Sequence, residues 1–144
     1  MEREIKSITE LEEFAAQFLS RLAKHKTHAT IVGLSGELGS GKTAFAKAIA
    51  KALGLTEEVL SPTFVIAKFY QLKDPDWNRL VHIDLYRIED GDELRALKWE
   101  SIMADPKNLV MVEWPEQIGA LFPQDATMLK FRFIDESTRA ILSE

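Results

Sequence analysis

The strongest chemical signal in this sequence is Gly36-Glu37-Leu38-Gly39-Ser40-Gly41-Lys42-Thr43, which has the spacing of a Walker A phosphate-binding loop. Its flanks are those the motif requires. Ala29 to Ser35 reads as a buried strand, and Thr43 to Leu53 reads as an alanine-rich helix ended by Gly54. In such a loop the glycines let backbone N–H groups turn onto phosphate oxygens, and the helix N-terminus adds partial positive charge. Lys42 would then reach the β and γ phosphates of a nucleoside triphosphate, and the Thr43 hydroxyl would sit on the Mg²⁺ that bridges them.

Nucleotide hydrolysis also needs carboxylates that hold the metal and order a water, and these typically follow apolar strands. Asp84 follows Leu80-Val81-His82-Ile83, and Glu113 follows Leu109-Val110-Met111-Val112. Either acid could instead cap a helix or pair with Arg87 or Lys98. Ser61 and Thr63 flank Pro62 about twenty residues past Lys42, where nucleotide hydrolases often carry a switch loop that senses the γ phosphate. A turn hydroxyl bonded to its own backbone is the plainer reading of both. His82 shares a strand face with Asp84 and reads as a structural histidine rather than a base. Trp114 suits either the core or the edge of a nucleotide site.

The elements that must position these residues are legible in outline. Thr9-Glu10-Leu11-Glu12 has capping-box spacing and predicts a helix from about Glu10. Its stripe is Leu11, Phe14, Ala15, Phe18, Leu19 and Leu22, and Lys24 and Lys26 close it. Arg3 to Ser7 reads as a short strand, while Phe64 to Tyr70 and Arg79 to Tyr86 read as a hairpin around Asp74-Pro75-Asp76-Trp77-Asn78. Asp90 to Glu93 caps a helix running through Leu94, Leu97 and Ile102. A buried strand ends at Glu113, Glu116 to Leu121 forms a short helix, and Thr127–Ile134 and Thr138–Leu142 form the last strands. The pattern predicts a single α/β domain over residues 1–144, P-loop NTPase-like, with a mainly parallel sheet, antiparallel additions and flanking helices. Strand order is not readable.

Composition narrows the function classes. The 18 Lys plus Arg against 23 Asp plus Glu, net charge -5, argue against autonomous binding of DNA or RNA through a basic face. The absence of cysteine excludes disulfides and cysteine-based zinc or nucleophile chemistry and makes a reducing cytoplasm the default expectation. No apolar run approaches the roughly 20 residues of a membrane helix, and the charged start Met1-Glu2-Arg3-Glu4-Ile5-Lys6 is unlike an export signal.

Taken together, Gly36 to Thr43, Ser61-Pro62-Thr63-Phe64, His82-Ile83-Asp84-Leu85-Tyr86-Arg87 and Val112-Glu113-Trp114-Pro115-Glu116 resemble, in order and spacing, the bacterial TsaE (YjeE) family over nearly the whole chain. The resemblance implies an ATPase using Mg²⁺ that supports formation of N6-threonylcarbamoyladenosine at position 37 of tRNAs reading codons that begin with A. It implies TsaB and TsaD as protein partners, with tRNA met only through their complex. Carried onto matching positions, Lys42 binds phosphates, Thr43 and Glu113 ligate Mg²⁺, Asp84 is the catalytic or water-orienting acid, and Thr63 belongs to a switch-like loop. Arg139 matches more loosely an arginine that approaches the nucleotide. The family commonly has glycine where Lys98 stands, so a different local turn is expected there. Two other readings of the residues are a small-molecule P-loop kinase, for which no lid segment is visible, and a nucleotide-gated adaptor without hydrolysis. GTP is disfavoured by the lack of an Asn-Lys-x-Asp motif.

Overall fold

A computed structural model describes residues 2–56 and 66–143. Apolar runs with no polar alternation must be covered on both faces, and the chain satisfies this with a parallel centre. Strands β2 (Thr30–Ser35), β4 (Arg79–Asp84), β5 (Asn108–Glu113) and β6 (Thr127–Asp135) run parallel within a seven-stranded sheet. The antiparallel additions lie at its two edges. With β1 (Glu2–Ile5), β3 (Ala67–Gln71) and β7 (Thr138–Ser143), the order is β1-β7-β6-β2-β5-β4-β3. The expected α/β class, mixed sheet and β3–β4 hairpin are therefore present.

Successive residues of a strand face opposite ways, and each face of the sheet has its own core. Val32, Leu34, Leu109, Met111 and Leu129 pack with helices α1 (Ile8–Arg21) and α2 (Lys42–Ala52). Phe45 on α2 lies against Phe14, Phe18 and Phe131 at ring separations of 5.6–5.8 Å. Ile31, Val81, Ile83, Val110 and Val112 face the other way, under α3 (Gly91–Ala96) and α4 (Trp99–Ala104). Among the described residues no helix is long and apolar enough to cross a membrane.

Several boundaries differ from the sequence reading, each for a local reason. Helix α1 starts before the Thr9–Glu12 box because Ser7 caps it, its Oγ accepting the Glu10 amide at 3.1 Å. Ser7 therefore leaves the first strand, which ends at Ile5, and the helix stops at Arg21, short of Lys24 and Lys26. The helix expected through Leu94 and Ile102 is two helices, α3 capped by Asp90 and α4 beginning after Lys98. Lys98 itself takes the left-handed conformation (φ 60°, ψ 44°). The break is thus in the left-handed region that glycine adopts most readily.

A left-handed conformation costs a residue with a Cβ roughly 1–2 kcal/mol, and glycine escapes that cost while losing more freedom on folding. Lys98→Gly is expected to stabilise the fold by about 0.5–1 kcal/mol net in urea unfolding. A loss of stability would show that Lys98 makes contacts that outweigh its backbone strain.

Candidate nucleotide-binding site

Strand β2 ends at Ser35, and the chain must reverse into α2 within a few residues. Gly36, Gly39 and Gly41 make this possible with φ of 148°, 78° and 108°. Space is as restrictive as dihedral angle at Gly36, where an added Cβ would lie 2.5 Å from the Phe131 carbonyl oxygen. The loop is thereby seated on β6, and α2 points its N-terminus, with the unpaired amides of a first helical turn, back over the sheet.

The ends of β4 and β5 lie beside this loop. Asp84 and Glu113 are register partners, and the Leu85 amide donates to the Glu113 carbonyl at 3.0 Å, so the two carboxylates are carried by adjoining backbones. Both are buried, at 6% and 3% exposure. The Thr43 hydroxyl lies 3.1 Å from each Glu113 carboxylate oxygen, and His82 Nε2 lies 2.6 Å from Oε2. Asp84 Oδ1 accepts the Tyr86 amide at 2.9 Å.

Lys42 is 5% exposed, and its ammonium folds back onto the loop. Nζ donates to the Gly36 carbonyl and, at 3.1 Å, to that of Glu37, and lies 4.1 Å from the centre of the Trp114 ring. Burial pushes the Lys42 ammonium below the usual lysine range, while the carboxylates of Glu113, Glu116, Asp84 and Glu37 pull it back. An incoming polyanion would favour the charged form further. Trp114 reaches this position through a left-handed backbone (φ 61°) directly before Pro115, a conformation disfavoured for a residue preceding proline. Its amide donates to the Leu34 carbonyl at 3.2 Å and its ring lies 5.0 Å from that of Tyr86.

These groups surround one cavity of about 600 Å³. Loop residues Leu38, Gly39, Ser40, Gly41, Lys42 and Thr43 line it, with Asp84, Glu113, Trp114 and Arg139, whereas Gly36 and Glu37 lie outside its lining and offer their carbonyls to Lys42. Ser40 Oγ is buried on this wall without a hydrogen-bond partner among the described residues, a polar atom that a phosphate oxygen would satisfy. Arg139 comes from β7 and donates through Nε to the Gly39 carbonyl at 3.0 Å, its guanidinium lying over Phe133. Ser61 and Thr63 lie outside the described residues. The Thr43 hydroxyl and Glu113 carboxylate are hard oxygen donors placed together, a set that fits Mg²⁺.

Two parts of the site escaped the sequence reading. The bond from His82 to Glu113 joins neighbouring strands, and only the shared face of His82 and Asp84 hints at it. The apolar wall formed by Ile5, Ile8 and Leu11 comes from the first strand and helix, whose place beside the loop depends on strand order.

A parallel sheet whose central strand runs into a glycine-rich loop and helix N-terminus, with a carboxylate from the adjoining strand against the loop threonine, defines a P-loop nucleotide-binding fold. The family profile described as threonylcarbamoyl adenosine biosynthesis protein TsaE matches residues 5–141. The chain belongs to the TsaE family. The tRNA threonylcarbamoyladenosine biosynthesis protein TsaE of Aquifex aeolicus is 35% identical over 136 residues, covering 93% of this chain and 91% of the relative. That of Mycobacterium tuberculosis is 36% identical over 111 residues, 73% of this chain and 65% of the longer relative. The match thus spans just under two thirds of the mycobacterial protein. The crystal structure of YdiB from Bacillus subtilis superposes with a TM-score of 0.72 at 25% identity, covering 99% of this chain and 83% of YdiB.

Trp77 and Trp99 are buried in the two cores, whereas Trp114 lies against the Lys42 ammonium. Phosphates that draw Lys42 forward should change the Trp114 emission, so titration with ATP is expected to alter tryptophan fluorescence. The change should vanish in Trp114→Phe. A full-sized change in that variant would mean the signal arises elsewhere.

Proposed function

We propose that this chain binds ATP with Mg²⁺ in the cavity beneath the Gly36–Thr43 loop and hydrolyses it. We further propose that it serves, with TsaB and TsaD, the formation of N6-threonylcarbamoyladenosine at position 37 of tRNAs reading codons that begin with A. The observation that carries the ATPase reading is the Thr43–Glu113 contact, which joins the loop to a buried carboxylate on the adjoining strand. The tRNA role is supported by family membership.

In this reading the loop amides and the first turn of α2 hold the phosphates, and Ser40 Oγ donates to one of their oxygens. Lys42 exchanges its two carbonyl partners for the β and γ phosphates and offsets the charge that spreads over the departing phosphoryl group. Thr43 and Glu113 would hold Mg²⁺, which when bound would supply positive charge against the phosphates. His82 keeps the Glu113 carboxylate oriented toward Thr43. Asp84, held at Oδ1 by the Tyr86 amide, orients the attacking water and accepts its proton. Arg139 is occupied by backbone carbonyls of the loop and of its own hairpin, so it steadies the loop. Hydrolysis by the chain alone is therefore slow and rises with its partners.

Removing one stabilising contact of this kind typically costs about 3 kcal/mol, roughly a hundredfold in rate. Lys42→Ala should lower ATP turnover by about that factor, and unchanged turnover would sink the site assignment. The wider role is tested by reconstituting tRNA threonylcarbamoylation with this chain present, absent or carrying Asp84→Asn. Loss of both hydrolysis and modification is expected for the variant. Modification that survives without hydrolysis would favour a nucleotide-gated adaptor, and phosphoryl transfer to a metabolite in preference to water would favour a kinase.

A further inference from the structure

We propose that His25, His28 and Asp125 form a binding site for a divalent transition-metal ion, with Zn²⁺ as its chemically favoured occupant, at the end of the sheet opposite the nucleotide site. His25 and His28 lie in the connection between α1 and β2, and Asp125 lies two residues before β6. Strands β2 and β6 are parallel, so their starting ends lie together, away from the Gly36 loop at the other end of β2. One ligand atom from each of the three side chains falls within 4.8 Å of the others.

The hydrogen-bond chemistry of His28 points to a cation. Its Nδ1 lies 2.9 Å from the Ala29 carbonyl oxygen, which can only accept, so Nδ1 carries a hydrogen and donates it. In the neutral ring this leaves a lone pair on Nε2, and Nε2 lies 3.0 Å from Asp125 Oδ2, itself a lone-pair group. Two lone pairs facing at that distance need a positive centre beside them, either a second ring proton or a metal ion. His25 favours the metal. Its ring is stacked on that of His28 at 4.2 Å and an interplanar angle of 29°, so a second imidazole nitrogen is brought to the same point. A ring proton shared between His28 and Asp125 gives no role to that second imidazole, whereas a metal takes both.

The remaining features suit such an ion. A histidine whose Nδ1 hydrogen donates to a backbone carbonyl, leaving Nε2 outward, is the usual second shell of a metal-bound imidazole. Imidazole nitrogens select Zn²⁺ and its neighbours over Mg²⁺, and two of them converge here, whereas the single imidazole beside Thr43 and Glu113 has its Nε2 engaged by the Glu113 carboxylate. Ligand atoms of a tetrahedral zinc site stand about 3.3 Å apart, given bonds of about 2.0–2.1 Å, so a small rotation of side chains closes the set. Asp125 is exposed and the histidines are half-buried, which leaves a solvent path and a fourth position for water. The bound ion would tie the connection before β2 to the start of β6.

The test uses the full chain without a histidine tag, titrated calorimetrically with Zn²⁺ in millimolar Mg²⁺ so that oxygen-donor sites are already filled. One equivalent should bind, with affinity weakened at least tenfold in His28→Gln and in Asp125→Asn and unchanged in Glu113→Gln. A mutation-free readout removes any concern over folding of the variants. The chain has three histidines, and Zn²⁺ should move the imidazole nitrogen resonances of His25 and His28 while leaving His82 in place. Absence of binding, binding that both substitutions leave intact, or a shift confined to His82 would each overturn the proposal.

Discussion

A carboxylate withdrawn from water has to be met by donors, or it will take up a proton or open the structure. Glu113 is met from two sides, by the Thr43 hydroxyl at the head of α2 and by the His82 ring on β4. Those contacts link the loop, the helix that follows it and two parallel strands around a single side chain. Phe45 anchors the same helix in the aromatic cluster beneath, so the first turn of α2 is fixed both by packing and by hydrogen bonds. Removing the acid would leave a half-buried hydroxyl and a buried imidazole each short of a partner, and removing either donor would leave the carboxylate with one contact fewer. Position and chemistry of the loop are for that reason a property of the whole sheet.

Strain is concentrated in the same region. Gly36 tolerates a backbone conformation and a proximity to Phe131 that no side chain would. Trp114 tolerates a left-handed conformation before proline, held by its bond to Leu34 and by ring contacts with Tyr86 and the Lys42 ammonium. A residue held against its backbone preference costs on the order of 1–3 kcal/mol, which the surrounding packing must offset. In return the indole covers a buried ammonium that also bonds the carbonyls of Gly36 and Glu37.

Much of the site was legible because its chemistry is local. Eight consecutive residues declare the loop, and an acid after an apolar run declares the end of a buried strand, so Asp84 and Glu113 could be named before any strand was placed. The parallel centre followed from the same runs, since strands without alternation need cover on both faces. The cap of α1 was misread because Ser7 and Thr9 offer overlapping boxes, with Glu10 and Glu12 each three residues on, and only packing decides between them. The division of α3 from α4 was missed because Lys98 gives no sign of a left-handed turn. The wall of Ile5 and Ile8 could not be read at all, as it depends on β1 pairing with a strand more than a hundred residues distant.

That last pairing bears on how the molecule is made. Among the described residues β1 has β7 as its only neighbour in the sheet, and β7 also delivers Arg139 to the loop. On a ribosome β1 therefore emerges long before the strand it must join, and α1 can settle on α2 while β1 waits. The Gly36 loop gains its seat only when Phe131 of β6 is beside β2, and its cavity stays open along one side until residues 138–143 have left the exit tunnel. Closure of the nucleotide cavity thus waits on the synthesis of β7.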